Sequence, residues 1–219
     1  MWGKPTSQPF NLPLQSIRHA MALSEFDAKS AQRLMSPRPR VTRRPATRGG
    51  SPRCGSVLLL LFPSENATGE LSIVLTKRSD TVADHKGQVS LPGGACEPGE
   101  TYEEAALREA NEELAIQPTA VNVIGHLTLL YIFPSDFEVC PVVAHAPRRP
   151  PFKPNPEEVA EVLEMPLTAL LDETTKVMET WNIRGVDRDV PIYRFNGHSI
   201  WGATAMVLSE FEQRLRQVT

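Results

Sequence analysis

The stretch from Gly94 to Ile116, GACEPGETYEEAALREANEELAI, constrains this chain more than any other. Glu109, Glu112 and Glu113 stand at i, i+3 and i+4, a spacing that projects all three carboxylates from one side of a helix. The surrounding residues predict that helix. Thr101 and Glu104 make a capping-box pattern, Pro98-Gly99 supplies a turn before it, and Leu107, Ala110 and Leu114 form an apolar stripe opposite the acids. Like charges crowded on a bare helix repel, by about 0.2–0.5 kcal/mol per pair. A bound divalent cation reverses that sign.

An all-oxygen carboxylate site suits Mg²⁺ or Mn²⁺, and Mg²⁺ takes only one or two protein carboxylates, filling its shell with water and substrate phosphates. The trio therefore points to phosphate chemistry with one of these ions as cofactor. Arg108, beside Glu109, can hold the acids in orientation through bidentate hydrogen bonds, and Gly93-Gly94 lets the backbone approach a metal or phosphate closely. Glu103 and Glu104 lie off that side of the helix and read as solvated.

The stretch resembles the signature of the Nudix hydrolases. Gly94, Glu100, Arg108, Glu109, Ala110, Glu112, Glu113 and Ile116 match it at the family's spacing, and Ala115 stands where the family has glycine. That position is near the helix end, so an altered C-cap is expected rather than altered chemistry. The resemblance implies an α/β fold, a mixed β-sheet sandwiched between α-helices, and a metal-dependent diphosphatase. It implies Glu109, Glu112 and Glu113 as metal ligands, with Gly94 adding a backbone oxygen. Arg108, Glu109 and Glu112 are then catalytic, and the general base comes either from a helix glutamate or from a later loop. Glu157, Glu158 and Glu161 are the loop candidates, among which the sequence does not choose.

The residues before the signature, VLTKRSDTVADHKGQVSLPGG, resemble the coenzyme A diphosphatase branch at Leu75-Thr76, Arg78-Ser79, Gly87 and Pro92-Gly93-Gly94. Ala83 replaces the branch's arginine and Leu91 its phenylalanine. Resemblance to the branch runs from about Met35 to Leu208. It implies cleavage of coenzyme A into 3',5'-ADP and 4'-phosphopantetheine, with ADP-ribose or NADH as alternative substrates and a non-catalytic nucleotide-binding domain as the alternative class. Three intact, crowded acids argue against that last reading. Arg78, Lys86 and Gly93 are candidate substrate contacts, and His85 reads either as a proton donor beside a diphosphate or as a loop anchor. Trp201 and Phe137 read as core aromatics in preference to base-stacking ones.

The formal net charge of -3 and a pI near 6.0 provide no basic field for nucleic acid, so a small nucleotide is the expected partner. A homodimer is left open by the family resemblance. The first residues lack the apolar core of a signal peptide, and the longest aliphatic run, Val57 to Phe62, is too short to cross a bilayer, so a cytoplasmic protein with no membrane partner is expected. Cys54, Cys96 and Cys140 contain no CxxC pair. That spacing argues against a disulfide framework or zinc site and casts Cys96 as a passive thiol.

Composition shifts divide the chain into residues 1–53, an N-terminal helical segment followed by a Pro/Arg-rich arm, and residues 54–219, the catalytic domain. One or two short helices are expected between Pro13 and Leu34. Within the domain, strands are expected at Val57–Phe62, Leu71–Thr76, Gln88–Leu91, Val121–Tyr131, Phe137–Ala144, the end of Pro156–Met165, and Val190–Phe195. A short helix is expected from Leu167, and an amphipathic one over Trp201–Gln217 with Ala205, Leu208, Phe211 and Leu215 inward.

Overall fold

The computed structural model describes residues 12–40, 50–65, 69–79 and 87–219. Helices α1 (Leu14–Met21) and α2 (Ala28–Leu34) precede strands β1 (Arg53–Pro63) and β2 (Leu71–Arg78). Two short strands, β3 (Val89–Ser90) and β4 (Gly93–Ala95), lead into helix α3 (Tyr102–Leu114). Strands β5 (Asn122–His126), β6 (Leu130–Ile132), β7 (Phe137–His145) and β8 (Val159–Pro166) follow, then helix α4 (Leu167–Leu171). Strands β9 (Lys176–Ile183), β10 (Val186–Phe195) and β11 (His198–Ile200) form a second, antiparallel sheet, and helix α5 (Gly202–Arg216) comes last.

The larger sheet is mixed: β1 runs antiparallel to β2 and β4 and parallel to β7. Its unbroken apolar run is explained by cover on both faces. Leu58, Leu60 and Phe62 share one cluster with Ala106, Ala110 and Leu114 of α3. Leu59 and Leu61 share the other with Leu208, Phe211 and Leu215 of α5. The fold is thus a mixed sheet between helices, as the resemblance implies. The predicted stripe on α3 is displaced by one position, because Ala106 is fully buried while Leu107 packs partly buried at its edge.

Residues before β1 also enter the core. Leu12, Ile17, Ala20 and Met35 join the α5 cluster. They are tied there by Glu210 of α5, fully buried, which accepts hydrogen bonds from Gln32 Nε2 at 2.8 Å, Thr128 Oγ1 at 3.0 Å and Arg214 Nε at 3.1 Å. Phe26 lies under the Arg214 guanidinium, 4.4 Å from it.

The single strand expected over Val121–Tyr131 is broken into β5 and β6. The backbone N–H of Thr128 turns out of the ladder to reach Glu210 at 3.1 Å, a partner the sequence could not reveal. Two strands of the second sheet, β9 and β11, lie outside the expected set. β9 exposes Val177 and Met178 and so lacks a consistent buried face. Likewise β4, three residues long, exists through its pairing with Gly55–Val57 rather than through its own pattern. The reading of the cysteines is corrected as well. Cys54 and Cys96 form a disulfide, with Cα atoms 5.4 Å apart, and Cys140 is the buried free thiol. CxxC spacing was the wrong test, because these cysteines meet across an antiparallel pair, one step beyond Gly55 and Ala95.

Ala115 caps α3 in the left-handed region, at φ 57°, where its N–H bonds the carbonyls of Ala110 and Asn111. A Cβ disfavours this conformation and glycine does not. Ala115→Gly is therefore expected to raise stability by about 1 kcal/mol, or about 2–4 °C in melting temperature. A melting temperature equal to or below that of the parent chain would refute the strain.

Candidate active site

α3 begins as its sequence requires. Thr101 Oγ1 accepts from Glu104 N–H at 3.2 Å, and the Glu104 carboxylate accepts from Thr101 N–H at 2.8 Å. The buried Ser56 hydroxyl, on β1, bridges the Tyr102 and Cys140 carbonyls at 2.7 and 3.0 Å, fixing the first turn to the sheet. With Ala106, Ala110 and Leu114 turned into the core, the acid trio is graded by depth. Glu113 is 3% exposed, while the side chains of Glu109 and Glu112 are 16% and 51% exposed.

Arg108 organises the outer part of this face. Its Nε and Nη2 grip Glu100 at 2.7 and 3.1 Å. Nη1 reaches Glu109 at 3.0 Å and Glu112 at 3.1 Å, and Nη2 also donates to the Ala95 carbonyl at 3.0 Å. Chiefly through Glu100, and also through Glu109, this cage holds the guanidinium firmly protonated. The same Arg108 contact holds the Glu100 carboxyl below its usual range. Gly94 lies against this arrangement so closely that a Cβ there would stand 2.5 Å from Glu109 Cδ. A side chain at this position would displace the Glu109 carboxylate.

Glu113 is different in kind. Burial pushes its carboxyl up to about 8, with the charges of Glu109 and Glu158 adding to the shift and Arg78 opposing it. One of its oxygens, Oε2, is buried with no hydrogen-bond partner among the described residues, and so is Arg78 Nε at the end of β2. Burial also raises the Glu109 carboxyl, against the pull of Arg108. As folded, Arg108 spans Glu109 and Glu112, and no three acidic, histidine or cysteine side chains among the described residues converge tightly enough to hold an ion. The donor chemistry nonetheless fits a hard cation: carboxylates of one face, partly buried, with an oxygen left unsatisfied.

The loop candidates separate. Glu158 is electrostatically coupled to both Glu109 and Glu113. Its loop docks on the end of α3, with Asn155 N–H donating to the Glu113 carbonyl at 2.8 Å and Asn155 Nδ2 to Glu158 Oε1 at 3.2 Å. Glu161 instead stands 3.3 Å from His198 Nε2 and 3.9 Å from Lys77 Nζ. Glu157 is exposed, its N–H on Asn155 Oδ1 at 3.1 Å. Gly93 adopts φ 152°, and a Cβ there would meet Val57 Cα at 2.6 Å. His85, Lys86 and Ala83 lie outside the described residues. Phe137 lies under the Arg53 guanidinium and Trp201 packs edge-on against Trp181, both contacts within the protein. The sequence reading missed Asn155 and His198. Asn155 sits in a Pro-rich loop, and His198 opens β11, which the tight Asn196-Gly197 turn folds back on β10; that local turn signals the strand but not the contact of His198 with Glu161.

The NUDIX domain family matches residues 52–183. An uncharacterized Nudix hydrolase, NudL, of Yersinia enterocolitica is 37% identical over 147 residues, 67% of this chain and 75% of that protein. Its Yersinia pestis counterpart is 35% identical over the same length, covering 67% and 73%. A crystal structure of a Nudix hydrolase from M. smegmatis, RenU, superposes with a TM-score of 0.52 at 20% identity, covering 78% of this chain and 88% of that one, a likeness of fold.

Proposed function

This chain belongs to the Nudix hydrolase family, and from that premise we propose that it hydrolyses the diphosphate bond of a nucleoside diphosphate derivative, coenzyme A foremost, to 3',5'-ADP and 4'-phosphopantetheine. The observation that carries the reading is a pair of buried atoms with no hydrogen-bond partner among the described residues, Glu113 Oε2 and Arg78 Nε, with the charges of Arg78, Glu109 and Glu158 all acting on Glu113. A carboxyl oxygen and a guanidinium nitrogen that are buried without a partner among the described residues suit partners that the substrate complex brings.

Nudix hydrolases generally use divalent metal ions. Here Glu109, Glu112 and Glu113 would hold Mg²⁺ or Mn²⁺, with the Gly94 carbonyl as a further donor. The ion supplies charge neutralisation at the diphosphate and a more acidic water. Arg108 orients Glu109 and Glu112, restrained in turn by Glu100 and the Ala95 carbonyl. Arg78 contacts a substrate phosphate through its Nε, and His85 and Lys86 are the further phosphate contacts that the sequence nominates. Glu158, coupled to Glu109 and Glu113, is the base that takes the water's proton. Glu161, engaged by His198 and Lys77, is less free for that task.

Coenzyme A is favoured by the residues shared with its branch, Arg78-Ser79, Gly87 and Pro92-Gly93-Gly94. Ala83, in place of the branch's arginine, favours a second reading, ADP-ribose or NADH. Mass spectrometry of products from coenzyme A, ADP-ribose and NADH, each with Mg²⁺ and with Mn²⁺, separates the two. Phosphopantetheine forming fastest supports the first reading; intact coenzyme A alongside split ADP-ribose or NADH overturns it in favour of the second.

Gly94→Ala provides an independent check on the site. Its new Cβ meets the far end of the Glu109 side chain, which can swing aside, so the fold survives while Glu109 leaves Arg108. Turnover of the best substrate is expected to fall about 100-fold with the melting temperature nearly unchanged. Unimpaired turnover would remove Glu109 from the machinery. Gly93→Ala, which drives a Cβ into the β1 backbone, should instead destabilise the fold.

A further inference from the structure

The loop that carries Arg108's principal partner is fastened by a covalent bond that the hydrolytic reaction does not use. Cys54 and Cys96 stand opposite each other one step beyond the Gly55–Ala95 pair, with the Cys96 N–H on the Cys54 carbonyl at 3.1 Å. Immediately before Cys96 lie Gly94, pressed on Glu109, and Ala95, whose carbonyl accepts from Arg108. Immediately after it a tight turn pairs Glu97 with Glu100, and Glu100 grips Arg108. β4 has only three residues, and this disulfide carries its attachment to β1 one residue further, to Cys96. Cys54 is exposed and Cys96 half-buried, open to a reagent from solvent. The third cysteine, Cys140, is buried, its thiol pushed up to about 11, and takes no part.

We propose that Cys54 and Cys96 form a thiol-exchange site, its reactant a dithiol, whose redox state sets the order of the loop that orients Arg108. A thiolate of the dithiol attacks one cysteine sulfur, forming a mixed disulfide and releasing the other cysteine as thiolate. The dithiol's second thiol then displaces the first cysteine. Two electrons and two protons pass to the protein, leaving two cysteine thiols and an oxidised, disulfide-bonded reagent. Reduction frees residues 96–100, so Glu100 and the Ala95 carbonyl no longer preset Arg108. The effect falls on kcat, because orientation of the acids is weakened while the phosphate contacts remain. This inference rests on the catalytic reading of Arg108 and Glu109 given above.

The full chain is equilibrated in buffers of graded dithiol-to-disulfide ratio and read three ways: native-state maleimide labelling, hydrogen exchange over residues 94–100, and turnover. Labelling is expected to rise from zero to two thiols, protection of residues 94–100 to fall, and kcat to drop about tenfold, all at one midpoint and all reversed on reoxidation. Cys54→Ser and Cys96→Ser should each show the reduced values of exchange and turnover, label at one thiol, and ignore the dithiol. Two reactive thiols in the oxidising buffer, or exchange and turnover unchanged across the titration, overturn the proposal. If no diphosphate is split in either state, the hydrolase reading fails, and the exchange of residues 94–100 alone decides the clasp: a redox-dependent change upholds it, and none refutes it.

Discussion

Glu113→Gln is expected to lower kcat by about 10³-fold or more while making the metal-free fold less sensitive to pH. The kinetic part follows from removing one charge of the acid trio, where cation-mediated stabilisation of the transition state is worth several kcal/mol. The thermodynamic part follows from burial. The Glu113 carboxyl ionises near 8 in the folded chain against an ordinary 4.5. Between those values the native protein holds a proton that the unfolded chain has released, so stability declines as pH rises from about 4.5 to about 8 and then levels off. Each pH unit in that window weighs at most about 1.4 kcal/mol. The amide that replaces this carboxyl has no proton to lose, so urea unfolding in the presence of chelator should show a flatter profile from pH 5 to 8, with the variant relatively more stable at pH 8. The same slope in both proteins would mean that Glu113 is ionised throughout, and near-normal turnover would take it out of the ligand set.

Arg214→Ala should produce the largest loss of stability away from the site. Arg214 is nearly buried, bonds the fully buried Glu210 at 3.1 Å and covers Phe26. Its removal strands a carboxylate whose other donors, Gln32 and Thr128, are neutral. Breaking a buried pair on one side costs about 3–5 kcal/mol, here about 6–20 °C in melting temperature. Replacing both partners, Arg214→Met with Glu210→Gln, should recover much of that loss, because no charge is left unpaired. A single variant that loses less than about 1 kcal/mol, or a pair whose effects simply add, would show that the contact does not join α1 and α2 to α5.

Helix α3 was legible from its own residues. Its capping box and the side-by-side acids are local properties, set by the 3.6-residue period and by backbone sterics within one turn, and the structure reproduces both, whereas the C-cap expected to be altered at Ala115 keeps the left-handed conformation. The strand Val57–Phe62 was legible for a related reason, since an apolar run of that length with no polar alternation must be covered twice. β9 hid itself by exposing Val177 and Met178, and the break between β5 and β6 was invisible because its cause, Glu210, lies 82 residues from Thr128.

The trio's i, i+3, i+4 spacing determined that three carboxylates would share a helix face and pointed to phosphate chemistry, while the family followed from the resemblance of the whole signature from Gly94 to Ile116. Only the tertiary structure decided that these carboxylates are unequal. Glu113 is sealed against the sheet, Glu109 is half sheltered, and Glu112 is out in solvent under Arg108. It also decided that the charges of Glu158 and Arg78 act on Glu113 while Glu161 turns to His198, and that Cys54 meets Cys96. Spacing along a helix fixes direction, but depth, dielectric surroundings and long-range partners depend on what the other elements pack against it, and no local pattern records that.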